Sequence, residues 1–288
     1  SEMCIRDRAY TTSNVMKGSG LSSSAAFEVL IGNILSGIYN AGSVSAVKIA
    51  QIAQYAENEY FGKPSGLLDQ LTSAVGGIIF ADFADPRAPK IEKLHADGLL
   101  PEGMFLCVTD TRGSHSELTG EFAAIRQEME QIAAFLGKKV LGQVTESAFW
   151  AALPALRKAC GDRAVLRAFH IYADNDRVAK QVAALREGDF STFLRLVNES
   201  GHSSWEYLQN VIPAGYKEHQ EVAVTIAAAK HYLGGKGAVR VHGGGFAGTV
   251  QAFVPVEMLA DFKANMEKIL GAGRCHVLNI RPEGGAVL

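Results

Sequence analysis

Ala26, Phe27, Leu30, Ile31, Ile34, Leu35 and Ile38 recur at steps of three and four, which predicts an amphipathic helix behind a glycine- and serine-rich stretch, GSGLSSS, at residues 18–24. A second helix is predicted from about Val44, with Ser43 or Ser45 as its cap. Its inward stripe reads Ala46, Ile49, Ala53, Glu57, Tyr60, so a carboxylate falls on a face that should be buried. KPSGLLDQLTSAVGG reads as a turn and a short helix, and GGIIFADF and PKIEKLHA read as strands. A new unit begins near Glu102. MFLCVTDT predicts a strand, and residues 120–233 are largely helical, closed by Gly234 and Gly235. GAVRVHGGG and AGTVQAFVP then read as two strands joined by glycines, with a helix over residues 256–270 and a last strand, CHVLNIRP, behind them. Strand, helices, strand pair, helix, strand is the order of an α+β fold with an antiparallel sheet.

Composition narrows the class. The 288 residues allow one large domain or two ordinary ones, and a 48% hydrophobic content supplies a sizeable core. A net charge of −2 gives no electrostatic footprint for nucleic acid or an acidic membrane. Cys4, Cys107, Cys160 and Cys275 lack CxxC spacing, which argues against a zinc site or a disulfide framework and suits a reducing cytoplasm. No apolar run reaches the length of a membrane span, and no signal peptide is visible. The reading is a soluble cytoplasmic monomer with neither nucleic acid nor membrane as partner. Residues 1–8, SEMCIRDR, have no periodicity and no turn chemistry. They read as a translated sequencing-adapter scar, the alternative being a frayed natural terminus. On the first reading the native chain begins earlier.

The glycine–serine stretch carries the first candidate chemistry. A helix N-terminus has amides without intrahelical acceptors and partial positive charge from the helix dipole. Gly18 and Gly20 let the backbone approach an anion, and Ser22, Ser23 and Ser24 add hydroxyls, which together make a phosphate cradle. The other reading is a serine-rich cap on a core helix. It is not a Walker loop, because no lysine has the spacing, nor a dinucleotide fingerprint, because the third glycine is missing. A second cluster, GGGFAG at residues 243–248, matches G-x-G-x-x-G formally but leads into a strand. It reads as a tight hairpin turn, although three successive glycines exceed what a turn needs and imply a close approach to the backbone. Glu57, on its apolar stripe, and Asp69, at the start of a short helix, are each compatible with an ordinary helix-end acid. With a phosphate loop they match what phosphoryl transfer requires: an anion cradle, a metal ligand and a group to deprotonate an acceptor hydroxyl. His115 and His242 read as hydrogen-bonding residues, and Trp205 and Tyr207 as packing.

These segments together resemble the GHMP small-molecule kinases, and within them the branch that phosphorylates galactose. GSGLSSSAAFEVL resembles the family's phosphate loop, SGLLDQLTSAVGG the segment with the catalytic aspartate, and HGGGFAGTVQAFV the third motif. RAVLRAFH and ESGHSSWEYL add to the likeness, which runs from about Ala9 to the C-terminus. The resemblance implies an ATP-binding domain over residues 9–100, incomplete and of the ribosomal S5 domain 2 type, and a ferredoxin-like domain over residues 101–288. It implies that Gly18, Ser19, Gly20, Leu21, Ser22, Ser23 and Ser24 wrap the phosphates of ATP. Ser24 and Glu57 would hold Mg²⁺, and Asp69 would take the proton of the sugar's anomeric hydroxyl. Gly243, Gly244 and Gly245 would lie near the active site, with Phe122 a possible sugar contact. Two departures stand out: Ala247 replaces a third-motif glycine, and the pattern around Phe122 does not match the family's sugar-contacting tyrosine. The family's first motif, which carries an arginine and most sugar contacts, should precede residue 9, so the 288 residues are expected to be an inactive piece. Their incomplete sheet would leave the apolar face of the first helix uncovered. Another sugar kinase, acting on N-acetylgalactosamine or arabinose, and a non-catalytic galactose sensor are the alternatives.

Overall fold

The computed structural model describes residues 10–13, 15, 21–62, 65–85, 88–94, 100–101, 103–113 and 118–286. Helices α1 (Ser23–Asn40), α2 (Ala46–Tyr55) and α3 (Leu68–Val75) pack with an antiparallel hairpin of β1 (Ile78–Asp82) and β2 (Lys90–Leu94). Their shared core is Val29, Ile49, Ala53, Leu67 and Leu71, with Ile79 and Ile91 of the hairpin against it. Ser45 caps α2, accepting from the amide of Lys48 at 3.3 Å.

One expectation about these helices is corrected. After Tyr55 the chain widens into a π-turn, Ala56–Tyr60. The wider turn keeps Glu57 inward, at 4% exposure, but leaves Tyr60 at 80%, so the predicted inward stripe ends one residue type early. In α1 the buried residues are Ala25, Val29 and Ser36, whereas Phe27, Leu30, Leu35 and Ile38 are exposed. The helix turns its narrow side to α2 and α3, where close approach favours small side chains. Phe27 and Leu30 instead line a cleft of about 1270 Å³ shared with Ile280, Arg281 and Gly284.

The second sheet is antiparallel, with β4 (Ala238–Val241), β5 (Thr249–Pro255), β3 (Met104–Asp110) and β6 (Cys275–Leu278) side by side in that order. Helices α8 (Glu221–Leu233) and α9 (Val256–Leu270) cover one face over a core that includes Val239, Val250, Ala252, Phe262 and Met266. Strand, helix, two strands, helix and strand make this a ferredoxin-like unit. Between β3 and β4 it carries an insertion of α4 (Thr119–Phe135), α5 (Glu146–Cys160), α6 (Asp162–Glu187) and α7 (Phe190–Ser203). Gly234, left-handed at φ 53°, ends α8 with its amide on Lys230 and His231, as a glycine stop should. The molecule is therefore α+β, with two antiparallel sheets among the described residues.

The last strand is shorter than CHVLNIRP suggests. Beyond Leu278 the chain leaves the sheet and returns to the first layer, where the Gly77 amide donates to the Arg281 carbonyl at 2.8 Å and Lys93 Nζ donates to the Pro282 carbonyl. The backbones touch here. A Cβ on Gly284 would lie 2.0 Å from the Ala74 carbonyl oxygen, and one on Gly76 would lie 2.3 Å from the Glu283 carbonyl carbon. No helix among the described residues is long and apolar enough to cross a membrane.

Candidate active site

Leu21, Ser22, Ser23 and Ser24 lead into α1, while Gly18, Ser19 and Gly20 lie outside the described residues. Ser22 stands at the N-cap in the left-handed region (φ 55°, ψ 46°), a costly conformation for a residue with a Cβ. Among the described residues its side chain makes no capping bond, and the first turn of α1 holds no acid. Among the described residues, neither the Ser22 hydroxyl nor a first-turn acid therefore caps the positive end of the helix dipole.

In the first turn of α1, the Ser24 hydroxyl donates to Oε1 of Glu57 at 3.1 Å. The second oxygen of that carboxylate, Oε2, accepts from Gln70 Nε2 at 2.9 Å, and the same amide nitrogen lies 3.2 Å from Oε2 of Glu28. Three elements therefore meet at Glu57: α1, the π-turn and α3. Asn58 supports the turn, its Oδ1 accepting from both the amide and the hydroxyl of Ser65 at 2.8 and 3.1 Å, and Gln54 Nε2 donates to the Ser65 carbonyl at 3.0 Å. Gln70 is fully buried, and its Oε1 has no hydrogen-bond partner among the described residues. An orphaned buried acceptor costs about 1–3 kcal/mol. Ser24 and Glu57 offer hard oxygen donors of the kind Mg²⁺ takes. Among the described residues no cluster of three or more His, Cys, Asp or Glu could hold a metal.

Asp69 is exposed in the first turn of α3, next in sequence to the buried Gln70. Its negative charge is felt at His242, which directly follows β4. Burial holds the His242 pKa down, the nearby Arg240 charge lowers it further, and Asp69 opposes both. His242 is fixed by Nδ1, which is 2.9 Å from the Thr249 hydroxyl. The second glycine cluster leads on from it. Gly243 and Gly245 have φ of 65° and 83°, and even Phe246 is left-handed at 59°. Asn210 clamps the loop: its Nδ2 donates to the Gly244 carbonyl at 3.0 Å, and its own carbonyl accepts from the Phe246 amide. A Cβ on Gly245 would lie 2.1 Å from that carbonyl oxygen, and one on Gly244 would lie 2.7 Å from the Phe122 ring. Phe122 also meets Phe246 edge-on at 5.4 Å, so it packs beneath the loop. Ala247, in place of the family's glycine, is buried against Gly113.

Gln70, Glu28 and Asn210 escape a reading by motif. A signal for Gln70 exists, because Leu67, Leu71 and Ala74 define the buried stripe of α3 and Gln70 falls on it. Glu28 lies four residues beyond Ser24, on the same helix face. His115 lies outside the described residues, and Trp205 and Tyr207 are partly exposed on a π-turn, Ser204–Leu208.

Residues 5–77 match the N-terminal domain of the GHMP kinases. A galactokinase of Glaesserella parasuis serovar 5 is 34% identical over 246 residues, covering 85% of this chain and 61% of the relative. One from Actinobacillus pleuropneumoniae is 33% identical over 264 residues, covering 90% and 65%. The chain thus spans less than two thirds of the length of these relatives. Among solved structures, the Lactococcus lactis galactokinase complexed with galactose superposes with a TM-score of 0.73 at 24% identity, over 95% of this chain and 69% of that one. A mevalonate kinase from L. major, in complex with R-mevalonate, has a TM-score of 0.58 at 14% identity, covering 91% and 66%. In sequence and in fold, the chain belongs to the GHMP kinase family.

Proposed function

We propose that the protein is an ATP-dependent galactokinase, moving the γ-phosphoryl group of ATP to the anomeric hydroxyl of galactose. What supports this is the Ser24–Glu57 pair at the start of α1, with Asp69 on the helix whose next residue, Gln70, donates to the same Glu57 carboxylate. Identity of 33–34% to curated galactokinases favours galactose over other sugars. In this reading the loop from Gly18 to Ser24 receives the triphosphate with its amides and hydroxyls. The hydroxyl of Ser24 and the carboxylate of Glu57 would hold Mg²⁺, and their donor chemistry fits it: one carboxylate and one hydroxyl, with phosphate oxygens completing the shell. When bound, that ion neutralises charge on the phosphates. Asp69 accepts the anomeric proton as the sugar oxygen bonds to phosphorus and the bond to the ADP oxygen breaks, so galactose 1-phosphate and ADP leave. Gly243, Gly244 and Gly245 would lie near the sugar, on a loop against which Phe122 packs. The ATP-binding portion is assigned to residues 9–100 and the second portion to residues 101–288. A cytoplasmic monomer completes the proposal.

The test uses the full-length protein with ATP, Mg²⁺ and a sugar panel of galactose, N-acetylgalactosamine and arabinose, reading ADP release. Galactose is expected to give the highest kcat/KM. Asp69→Asn is expected to lower turnover at least ~10²-fold while ATP affinity stays unchanged. A different preferred sugar would reassign the substrate, and galactose binding without ADP release would make the protein a sensor. Turnover unaffected by Asp69→Asn would remove Asp69 from the mechanism.

A further inference from the structure

We infer that Gln70 is a positioning residue of this site: its amide, held between Glu28 and Glu57, fixes the Glu57 carboxylate in the orientation that a magnesium ion requires. The inference rests on the metal reading of Ser24 and Glu57 proposed above. A carboxylate that ligates a metal is set by the hydrogen bonds to its oxygens, and such outer partners govern affinity almost as strongly as the ligands do. Here both oxygens of Glu57 are engaged, Oε1 by the Ser24 hydroxyl at 3.1 Å and Oε2 by Gln70 at 2.9 Å. The plane of the carboxylate is therefore defined by two elements at once, α1 and α3.

The amide cannot be turned round without harm. Reversed, it would set its carbonyl oxygen against two carboxylates, those of Glu28 and Glu57. As it stands, Oε1 is left buried and unpartnered among the described residues. A fully buried glutamine with half its bonding capacity unused is explained by its donors, since a methionine or leucine would fill the same space without the orphan. Glu28 anchors the other end. It follows Ser24 by one helical turn, so the Gln70 amide ties the start of α1 to α3, the helix on which Asp69 is the neighbouring residue. The phosphate-loop helix, the metal carboxylate and the helix of the base thereby share one amide.

The experiment compares wild-type full-length protein with Gln70→Met, which keeps length and loses the donors. Mn²⁺ binding is titrated by electron paramagnetic resonance with a non-hydrolysable ATP analogue, and thermal unfolding is followed without metal. The expected result is a 10–100-fold weaker Mn²⁺ affinity in protein that still unfolds in one cooperative transition. Unchanged Mn²⁺ affinity in folded Gln70→Met overturns the inference and leaves the metal reading standing. If Gln70→Met does not fold, Gln70→Asn, which withdraws the amide by one methylene, is expected to show the same loss. Wild-type Mn²⁺ affinity in Gln70→Asn then overturns it. Wild-type protein that fails to bind Mn²⁺ with the analogue overturns both this inference and the metal reading.

Discussion

The imidazole of His170 lies between α6 and α7, with Nδ1 2.9 Å from the Ser203 hydroxyl and Nε2 3.6 Å from Asp174. Burial holds its pKa below 6.5; Asp174 opposes the shift, and the charges of Arg240 and Arg177 add to it. His242 is lowered in the same direction, by burial first and then by Arg240, against Asp69. For both, the folded pKa lies below the unfolded one, so the unfolded chain binds more protons as pH drops through 6.5. Stability is full above that pH and declines below it, by at most about 1.4 kcal/mol per pH unit for each histidine. A melting-temperature series from pH 8 to 5.5 should be flat and then fall, and His170→Gln should flatten part of the fall. An unaltered slope in that variant would acquit His170. At this scale the sequence is informative about burial and poor about partners. The stripe of Ala46, Ile49 and Ala53 already puts Glu57 inside, but Ser24 is 33 residues away and Gln70 is 13, and only the packing of helices selects them. Gly18, Ser19 and Gly20, the most legible part of the loop, are beyond what the structure describes.

An element declares its type more readily than its facing. Periods of two and of three to four locate β3, the β4–β5 pair and α9 from the chain alone, because each has one face against a packed layer. Helix α1 is apolar on more than one side, and period alone does not say which side is inward. Its exposed residue Ile38 (66%) and the fully buried Leu71 of α3 separate the two situations. Leu71→Ala should cost about 2–5 kcal/mol by the cavity it leaves, whereas Ile38→Gln should stay within about 0.5 kcal/mol. Denaturant midpoints measure both. A large loss from Ile38→Gln would mean that this face is covered in solution. The π-turn has no local signature at all. Side chains of Gln54 and Asn58 converge on Ser65 across a glycine-bearing loop, and that tie selects the wider turn and decides that Tyr60 points outward.

For the molecule as a whole, the pattern of strands and helices is enough to give an α+β class, since two runs of elements each supply their own sheet. What it does not give is the tail. CHVLNIRP alternates well enough to pass for one strand, yet pairing with β3 ends at Leu278, and the remainder serves α3 and β1 instead. The contact between Lys93 and Pro282 spans 189 residues. Closing a loop of that length costs on the order of 5 kcal/mol of chain entropy before any contact is made. A seam with that closure cost is expected to form late in folding, after both sheets. Gly284→Ala, whose methyl would collide with the Ala74 carbonyl, should destabilise by about 1–3 kcal/mol. Nearly all of it should emerge as faster unfolding, with the refolding rate unchanged. Stopped-flow arms that share the loss equally would place the seam in the transition state. The helix bearing Asp69 and Gln70 is thus held from behind by a distant stretch of the chain, so a substitution in that seam can loosen the site's geometry without touching any residue of the site.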